Sequence, residues 1–326
     1  MLTFIDLFCG AGFGARGAVN GGGRPLLAVD AWDLATDTYR KNFPNSEVIC
    51  SKIEDIDPLT HSKKYSPDVL LTSPECTSHS IARGAKPGTE KSRETAIGIL
   101  PWLDAMEPRW LIVENVNRMK KWGRHDELVA TIERAGYRVN DLYLNAADFG
   151  TPQSRKRMFL VCDRFGHELT VDDLKRSHRK RRKNARQILA KEGTFESKPL
   201  YKQGRAQSTI DRAERAITQL GEKKDFLVVY YGSDYAGGWQ SLDAPLRTIT
   251  TLDRFGLVTW RRNTPYLRML QPEELLRAMG AEKHSLLGSR REQIKLCGNG
   301  VCSPVLEVIF RHITKVSYQS DLIKAS

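Results

Sequence analysis

The run Leu2-Thr3-Phe4-Ile5-Asp6-Leu7-Phe8, followed at once by Cys9-Gly10-Ala11-Gly12-Phe13-Gly14, constrains this chain more than any other stretch. Such an apolar run reads as a buried strand. Glycines at every second position then let the backbone turn tightly and approach a ligand before a helix begins. Leu26-Leu27-Ala28-Val29-Asp30 reads as a second strand that ends in an acid. A carboxylate there can accept hydrogen bonds from ribose hydroxyls, as in dinucleotide sites; the plainer alternative is a tight turn and a solvated acid. Strand, glycine loop, helix and strand in this order point to an α/β fold with a doubly wound, mostly parallel sheet.

Further strands are expected at Val48–Cys50, Asp68–Leu71, Trp110–Val113, Val139–Leu144 and Met158–Val161, with helices at Ala35–Asn42, Ser92–Met106 and Asp126–Ala135. The strand at Leu70-Leu71-Thr72 stops at Ser73-Pro74, so Cys76 follows a strand end, where parallel sheets place reactive groups. Ile81 to Gly88 is small and basic, the composition of a loop that can close over a substrate. A lone cysteine is commonly buried filler, so Cys76 gains meaning only with partners. One candidate is Glu114, delivered with Asn115 at the next strand's end; beside a nucleophile it can act as a general acid. Arg155 and Arg157 lie two apart, so in extended chain both project to one face, suited to phosphate or a base carbonyl or else simply a solvated strand edge.

The formal net charge is +12, which favours a polyanionic partner, either nucleic acid or an anionic membrane surface. No apolar run approaches the roughly 20 residues that a spanning helix needs. Met1–Gly14 lacks a basic leader and reads as strand and glycine loop, so a cytoplasmic protein is expected. The six cysteines, at 9, 50, 76, 162, 297 and 302, show no CxxC pair or metal-ligand rhythm. Free thiols and no metal are expected. Eight of the twelve residues from Lys175 to Arg186 are Lys or Arg, without an acid. That run is either a solvated connector or a phosphate-contacting surface.

Asp6-Leu7-Phe8-Cys9-Gly10-Ala11-Gly12, Pro74-x-Cys76, Glu114-Asn115-Val116 and Gln153-x-Arg155-x-Arg157 occur in the order used by DNA (cytosine-5) methyltransferases. Arg268-Met269-Leu270-Gln271-Pro272-Glu273-Glu274, with Arg277 and Gly280, and then Gly298-Asn299-Gly300-Val301 resemble that family's last two motifs. The resemblance spans nearly the whole chain. It implies S-adenosyl-L-methionine as methyl donor and a flipped cytosine in double-stranded DNA as acceptor. Cys76 is then the nucleophile, Glu114 its acidic partner, and Arg155 and Arg157 contact the base and the catalytic loop. Phe8, Gly10, Gly12, Asp30, Trp32, Ile53 and Asn299 hold the cofactor. The sequence departs from the family pattern at four places. Glu75 intervenes between Pro74 and Cys76, and Thr77 replaces a glutamine. Asp30 replaces a glutamate, and Ser51-Lys52-Ile53 falls where an aspartate commonly meets the adenine amino group, leaving Asp55 or a backbone carbonyl to accept it.

On this reading residues 1–166 form the catalytic, cofactor-binding domain, 167–287 a smaller target-recognition domain, and 288–326 a segment that returns to the first. Strands are expected at Phe226–Tyr231, Leu246–Thr251 and Phe255–Thr259, with a Gly/Tyr/Trp loop at Gly232–Trp239. DNA contacts are expected from Ser80 and Arg83, from Lys175, Arg176, Arg179, Arg181 and Arg182, and from Trp239 and Arg247. The protein is expected to act as a monomer, and a cognate restriction enzyme is a further partner that the resemblance allows. The alternatives are a tRNA cytosine-5 methyltransferase on the same scaffold and a catalytically silent DNA-binding protein. A dehydrogenase reading of the glycine loop leaves Cys76 and Glu114 unexplained.

Overall fold

Short apolar runs, buried on both faces, build the central strands of the larger of two sheets. In the computed structural model, which describes residues 1–74, 97–121, 124–177, 180–232 and 237–325, this sheet has seven strands. They are β1 (Leu2–Leu7), β2 (Gly23–Asp30), β3 (Glu47–Cys50), β4 (Val69–Thr72), β5 (Trp110–Asn115), β6 (Arg138–Asn145) and β7 (Lys156–Asp163). Their order is β3-β2-β1-β4-β5-β7-β6. Neighbours from β3 to β5 are parallel, whereas β7 runs antiparallel to both β5 and β6. The chain winds outward in both directions from the β1/β4 pair, the switch point beyond whose carboxyl ends open α/β sheets bind ligands.

Between these strands lie α1 (Phe13–Asn20), α2 (Asp33–Asn42), α3 (Pro58–Ser62), α4 (Leu100–Met106) and α5 (His125–Arg134). Adjacent strand residues serve opposite faces, which is why the strands read as continuous apolar runs. Ile5, Leu70, Leu111 and Leu160 pack with Trp102 and Leu103 of α4 and with Leu128 and Ile132 of α5. Phe4, Leu71, Ile112 and Phe159 pack on the opposite side with α1 and the chain's closing helix.

The later elements are α6 (Val171–Ser177), β8 (Lys198–Pro199), α7 (Gln207–Leu220), β9 (Phe226–Val229), β10 (Trp239–Ser241), β11 (Phe255–Arg261), β12 (Thr264–Met269), α8 (Pro272–Met279), α9 (Arg290–Asn299) and α10 (Ser303–Ala325). A second sheet has the order β10-β9-β11-β12-β8, antiparallel throughout. It has its own small core, in which Leu200, Phe226, Val228, Val258 and Leu267 meet Ala213 and Ala216 of α7. Leu174, Ala185 and Ile188, together with α8, α9 and α10, pack instead with the larger sheet. None of the described helices is long and apolar enough to cross a membrane.

Two expectations need correction: among the described residues the helix expected at Ser92–Met106 begins only at Leu100, after a turn at 97–99, and the strand expected at Leu246–Thr251 does not form. Leu246–Thr251 is not a strand: it is an extended segment whose sheet pairing is a single parallel bridge between Leu246 and Gln153. Several of its backbone groups bond to side chains instead, Arg247 N to Gln240, Thr248 O to Tyr231, and Ile249 N and O to Gln153 and Arg155, so no ladder forms. The polar stretch Lys198–Gly221 yields β8 and the helix α7. That helix buries Thr209, Ala213 and Ala216, so its inward stripe is too weakly apolar to announce itself.

Candidate active site

Four of the stretches singled out in the sequence converge on one edge of the large sheet. The glycine loop leaves β1, Asp30 ends β2, Pro74 follows β4, and Glu114-Asn115 closes β5. Because β7 is antiparallel, its first residues lie at the same edge, with Asn115 opposite Met158 in the register. This brings Arg157 to Glu114.

Glu114 is 8% exposed, and its Oε1 lies 3.1 Å from Arg157 Nε. Burial raises the Glu114 pKa from its ordinary value, against the opposing pull of the Arg157 and Arg155 guanidiniums. The net direction favours the protonated form, which can donate a hydrogen bond. Asn115 secures the neighbouring backbone: Nδ2 donates to the Pro74 carbonyl at 3.2 Å, and Oδ1 accepts from Val116 N at 2.8 Å. Pro74, just after β4, is thereby tied to the end of β5. Cys76 itself, with Ser80 and Arg83, lies outside the described residues, as do Glu75 and Thr77.

Arg155 does something the sequence did not announce. It is 4% exposed, with Nη1 donating to Ile249 O at 2.9 Å and Nη2 to Gly298 O at 2.8 Å. Gln153 beside it accepts from Ile249 N at 3.0 Å and donates to Ala278 O at 3.1 Å. Ser154 N donates to Leu246 O at 2.7 Å, and Thr248 Oγ1 to Ser154 O at 2.8 Å. Gln153-x-Arg155 therefore stitches the large sheet to the extended 246–250 segment and to the end of α9. Gly298 permits the approach, since a Cβ there would fall 2.4 Å from the Thr250 carbonyl.

On the β1–β3 side, Asp30 is an anchor as well as an acceptor. Its Oδ2 accepts from Gly10 N at 2.8 Å and its Oδ1 from Trp32 N at 2.9 Å. Burial raises its pKa, while those backbone donors pull it down. Gly10 (φ 51°) turns its missing Cβ towards open space. Gly12 (φ 83°) is required twice over, by its left-handed backbone and by the Phe43 ring, which a Cβ would meet at 2.6 Å. Phe8 also takes a left-handed conformation, at φ 56°. Ile53, 3% exposed, and the half-buried Phe8 and Ile49 belong to one apolar cluster. Lys52 and Asp55 are exposed. Lys295 of α9 stands 4.1 Å above the Trp32 ring, a contact no sequence motif signalled. Asn299 is exposed at the end of α9.

The candidate nucleic-acid residues are more scattered. Within the basic run, acids from elsewhere in the chain have found partners: Arg182 pairs with Asp148, Arg176 with Asp173 and Arg186 with Asp243. Lys175 reaches Asp148 at 4.0 Å, and Lys180, Arg181 and Lys183 are exposed. Arg179 lies outside the described residues. Trp239 is half-buried in β10 against the small core. Arg247 is half-buried, its amide donating to Gln240 Oε1 at 3.0 Å. Residues 233–236 of the expected Gly/Tyr/Trp loop are outside the described residues. Among the described residues, Cys9, Cys50, Cys162, Cys297 and Cys302 are free, and no group of three or more His, Cys, Asp or Glu is placed to hold a metal.

The profile of the family described as C-5 cytosine-specific DNA methylase matches residues 2–315. The chain is 32% identical over 180 residues to the type II methyltransferase M1.HphI of Haemophilus parahaemolyticus, covering 53% of this chain and 48% of that protein. It is 29% identical over 168 residues to the tRNA (cytosine(38)-C(5))-methyltransferase of Homo sapiens, covering 49% of this chain and 42% of the relative. The aligned stretch thus spans about half the length of these curated relatives. Two solved structures share the fold. The S. pombe Dnmt2 methyltransferase superposes with a TM-score of 0.71 at 16% identity, over 97% of this chain and 99% of the other. A putative DNA modification methyltransferase encoded within an E. coli prophage gives 0.70 at 15% identity, over the same shares.

Proposed function

The chain belongs to the C-5 cytosine-specific DNA methylase family, and on that premise we propose that it transfers a methyl group from S-adenosylmethionine to carbon 5 of a cytosine turned out of double-stranded DNA. The observation that carries this reading is the buried Glu114, held beside Arg157 at the end of β5, with its neighbour Asn115 tied to Pro74, two residues before Cys76 in the sequence.

The residues of the β1–β3 edge fit the cofactor. Gly10 leaves room against the loop backbone, Asp30 offers the lone pairs that its two backbone donors do not use, and Trp32 offers a ring. Bound S-adenosylmethionine supplies a methyl group activated by its sulfonium. The protein's own task is to make carbon 5 nucleophilic. The Cys76 thiolate adds to carbon 6, and the displaced π-electron pair moves towards ring nitrogen 3. Protonated Glu114 gives its proton to that nitrogen. Arg157 faces the carboxylate that remains and stabilises it. Once the methyl group is on carbon 5, a base takes the proton from that carbon, the thiolate leaves carbon 6, and Glu114 recovers its proton. Extruding the base costs a few kcal/mol, which contacts in the closed site offset.

Target recognition falls to the five-stranded unit, and phosphate contacts to the exposed part of the basic run. We place the enzyme in the cytoplasm as a monomer, and the type II relatives suggest a cognate restriction enzyme as a further partner. The tRNA relatives keep a second substrate in play, because the same groups serve a cytosine in either polymer. Incubating the protein with labelled S-adenosylmethionine and either duplex DNA or tRNA separates the two. Label at carbon 5 of DNA cytosine is the expected result. Label in tRNA alone overturns the DNA assignment, and label in neither overturns the activity.

A further inference from the structure

The cofactor loop is anchored from a second direction. Asp30 fixes Gly10 N from the β2 side, and Cys9 O receives Gly12 N at 2.9 Å. Between these two left-handed glycines sits Ala11, 3% exposed. The Ala11–Gly12 peptide is one planar unit, so the Gly12 N–H bond to Cys9 O holds its amide edge and leaves its carbonyl edge to be held from elsewhere. That carbonyl points at His284, whose Nε2 lies 2.6 Å away. His284 belongs to the segment joining α8 to α9, more than 270 residues further along the chain.

The ring is held firmly. It stacks on Phe13 with a centroid separation of 4.9 Å and an interplanar angle of 25°, and it meets Phe43 at 6.1 Å. The next residue, Ser285, forms a reciprocal pair with Asn42 of α2: its amide donates to Asn42 Oδ1 and its carbonyl accepts from Nδ2, both at 2.9 Å. A carbonyl can only accept, so Nε2 must carry the proton. Burial pushes the imidazole pKa down to about 4, which keeps the ring neutral at neutral pH. Nδ1 is then a buried acceptor, and it has no hydrogen-bond partner among the described residues.

We propose that His284 is a positioning residue for the cofactor site, holding the carbonyl edge of the Ala11–Gly12 peptide, whose amide edge Cys9 O already holds, and so securing the shape of the Gly10–Gly12 cradle. The inference rests on the cofactor reading given above. It gives the segment after the recognition unit a hand in cofactor binding, although no part of that segment belongs to the glycine motif. Specificity for a bonding role, as distinct from packing alone, comes from separating the ring's two contacts.

Two substitutions in the full-length protein do this. His284→Phe retains an aromatic ring against Phe13 but removes the donor. His284→Gln retains a donor near the Nε2 position but removes the ring. Calorimetry with S-adenosylhomocysteine, read beside thermal melting, is the test. The Phe variant should melt near the wild type yet bind roughly 2- to 12-fold more weakly, the worth of one hydrogen bond. The Gln variant should melt lower yet bind more tightly than the Phe variant. If affinity follows the melting temperature in both, or is unchanged in the Phe variant, His284 only packs and the proposal is overturned. If the wild type binds no S-adenosylhomocysteine, the cofactor reading itself fails and takes this inference with it. Nitrogen-15 spectra of the wild-type protein give the same answer without a substitution. The His284 Nε2–H signal should shift when the ligand is added, and an unmoved signal overturns the proposal.

Discussion

The two halves of the proposed active-site edge, one for the cofactor and one for the base, are built differently. The cofactor half is mostly local: residues 8 to 53 supply the glycine loop, Asp30, Trp32 and Ile53, and one carboxylate ties two backbone amides together. The base half is assembled from afar. Pro74, Glu114-Asn115, Arg155 and Arg157, Ile249 and Gly298 meet through a strand reversal and a seam between two sheets. A half made locally can be shaped by its own turns. One made from distant stretches depends on every element that brings those stretches together.

The sharpest test of that difference removes the acid. Glu114→Gln keeps the size of the side chain and loses the transferable proton. Methyl transfer should fall by roughly 10²–10⁴-fold, while calorimetric affinity for S-adenosylhomocysteine stays near that of the wild type. Loss of cofactor affinity in this variant would mean that the halves are not separable.

Next come the two arginines, which look alike in sequence. Arg155→Met leaves two buried carbonyls without their charged donor, and stability should fall by about 3–5 kcal/mol. Arg157→Met, at a position that faces Glu114 and is less buried, should lower activity with a much smaller drop in melting temperature. Equal melting temperatures for the two variants would contradict the division between brace and active-site charge.

In the cofactor half, Asp30→Ala removes a charged acceptor worth about 1.5–3 kcal/mol. Cofactor affinity should weaken by roughly 10- to 150-fold, with duplex binding unchanged. Calorimetry on both proteins decides this. An unchanged cofactor affinity would move the ribose contact elsewhere.

The smallest effect belongs to the basic run. Replacing Lys180, Arg181 and Lys183 by alanine should make the salt dependence of duplex binding shallower, by up to roughly 0.9 for each phosphate that is no longer neutralised. Arg182→Ala should change it less, because Asp148 already faces that charge. Target and scrambled duplexes should be affected alike, since phosphate contacts carry no base information.

How much of this was legible in the sequence follows the same division. The strands, the glycine loop and the acid of the cofactor half could be read in place, because each is a local pattern with a local cause. The reversal of β7 could not, since an apolar run does not reveal its direction; the pairing of Arg157 with Glu114 depends on it. Arg155 looked like half of a surface comb and is a buried brace, because its partners lie about 94 and 143 residues away in the chain. Leu246–Thr251 had the composition of a strand and lacks a ladder. His284, in the polar stretch Glu282-Lys283-His284-Ser285, gave no signal at all. Cys76 was singled out by its place in the sequence after β4; it lies outside the described residues, and its proposed role rests on the family and on Glu114.

That role is the centre of the account, and one measurement reaches it. Duplex DNA carrying 5-fluorocytosine at the target should, with S-adenosylmethionine present, leave a covalent protein–DNA complex that survives denaturing electrophoresis, because fluorine on carbon 5 cannot leave as a proton does. The wild-type protein should form this complex. Cys76→Ala should not, while still binding the same duplex. An adduct that persists in the alanine variant would show that another group attacks the base and would contradict the mechanism.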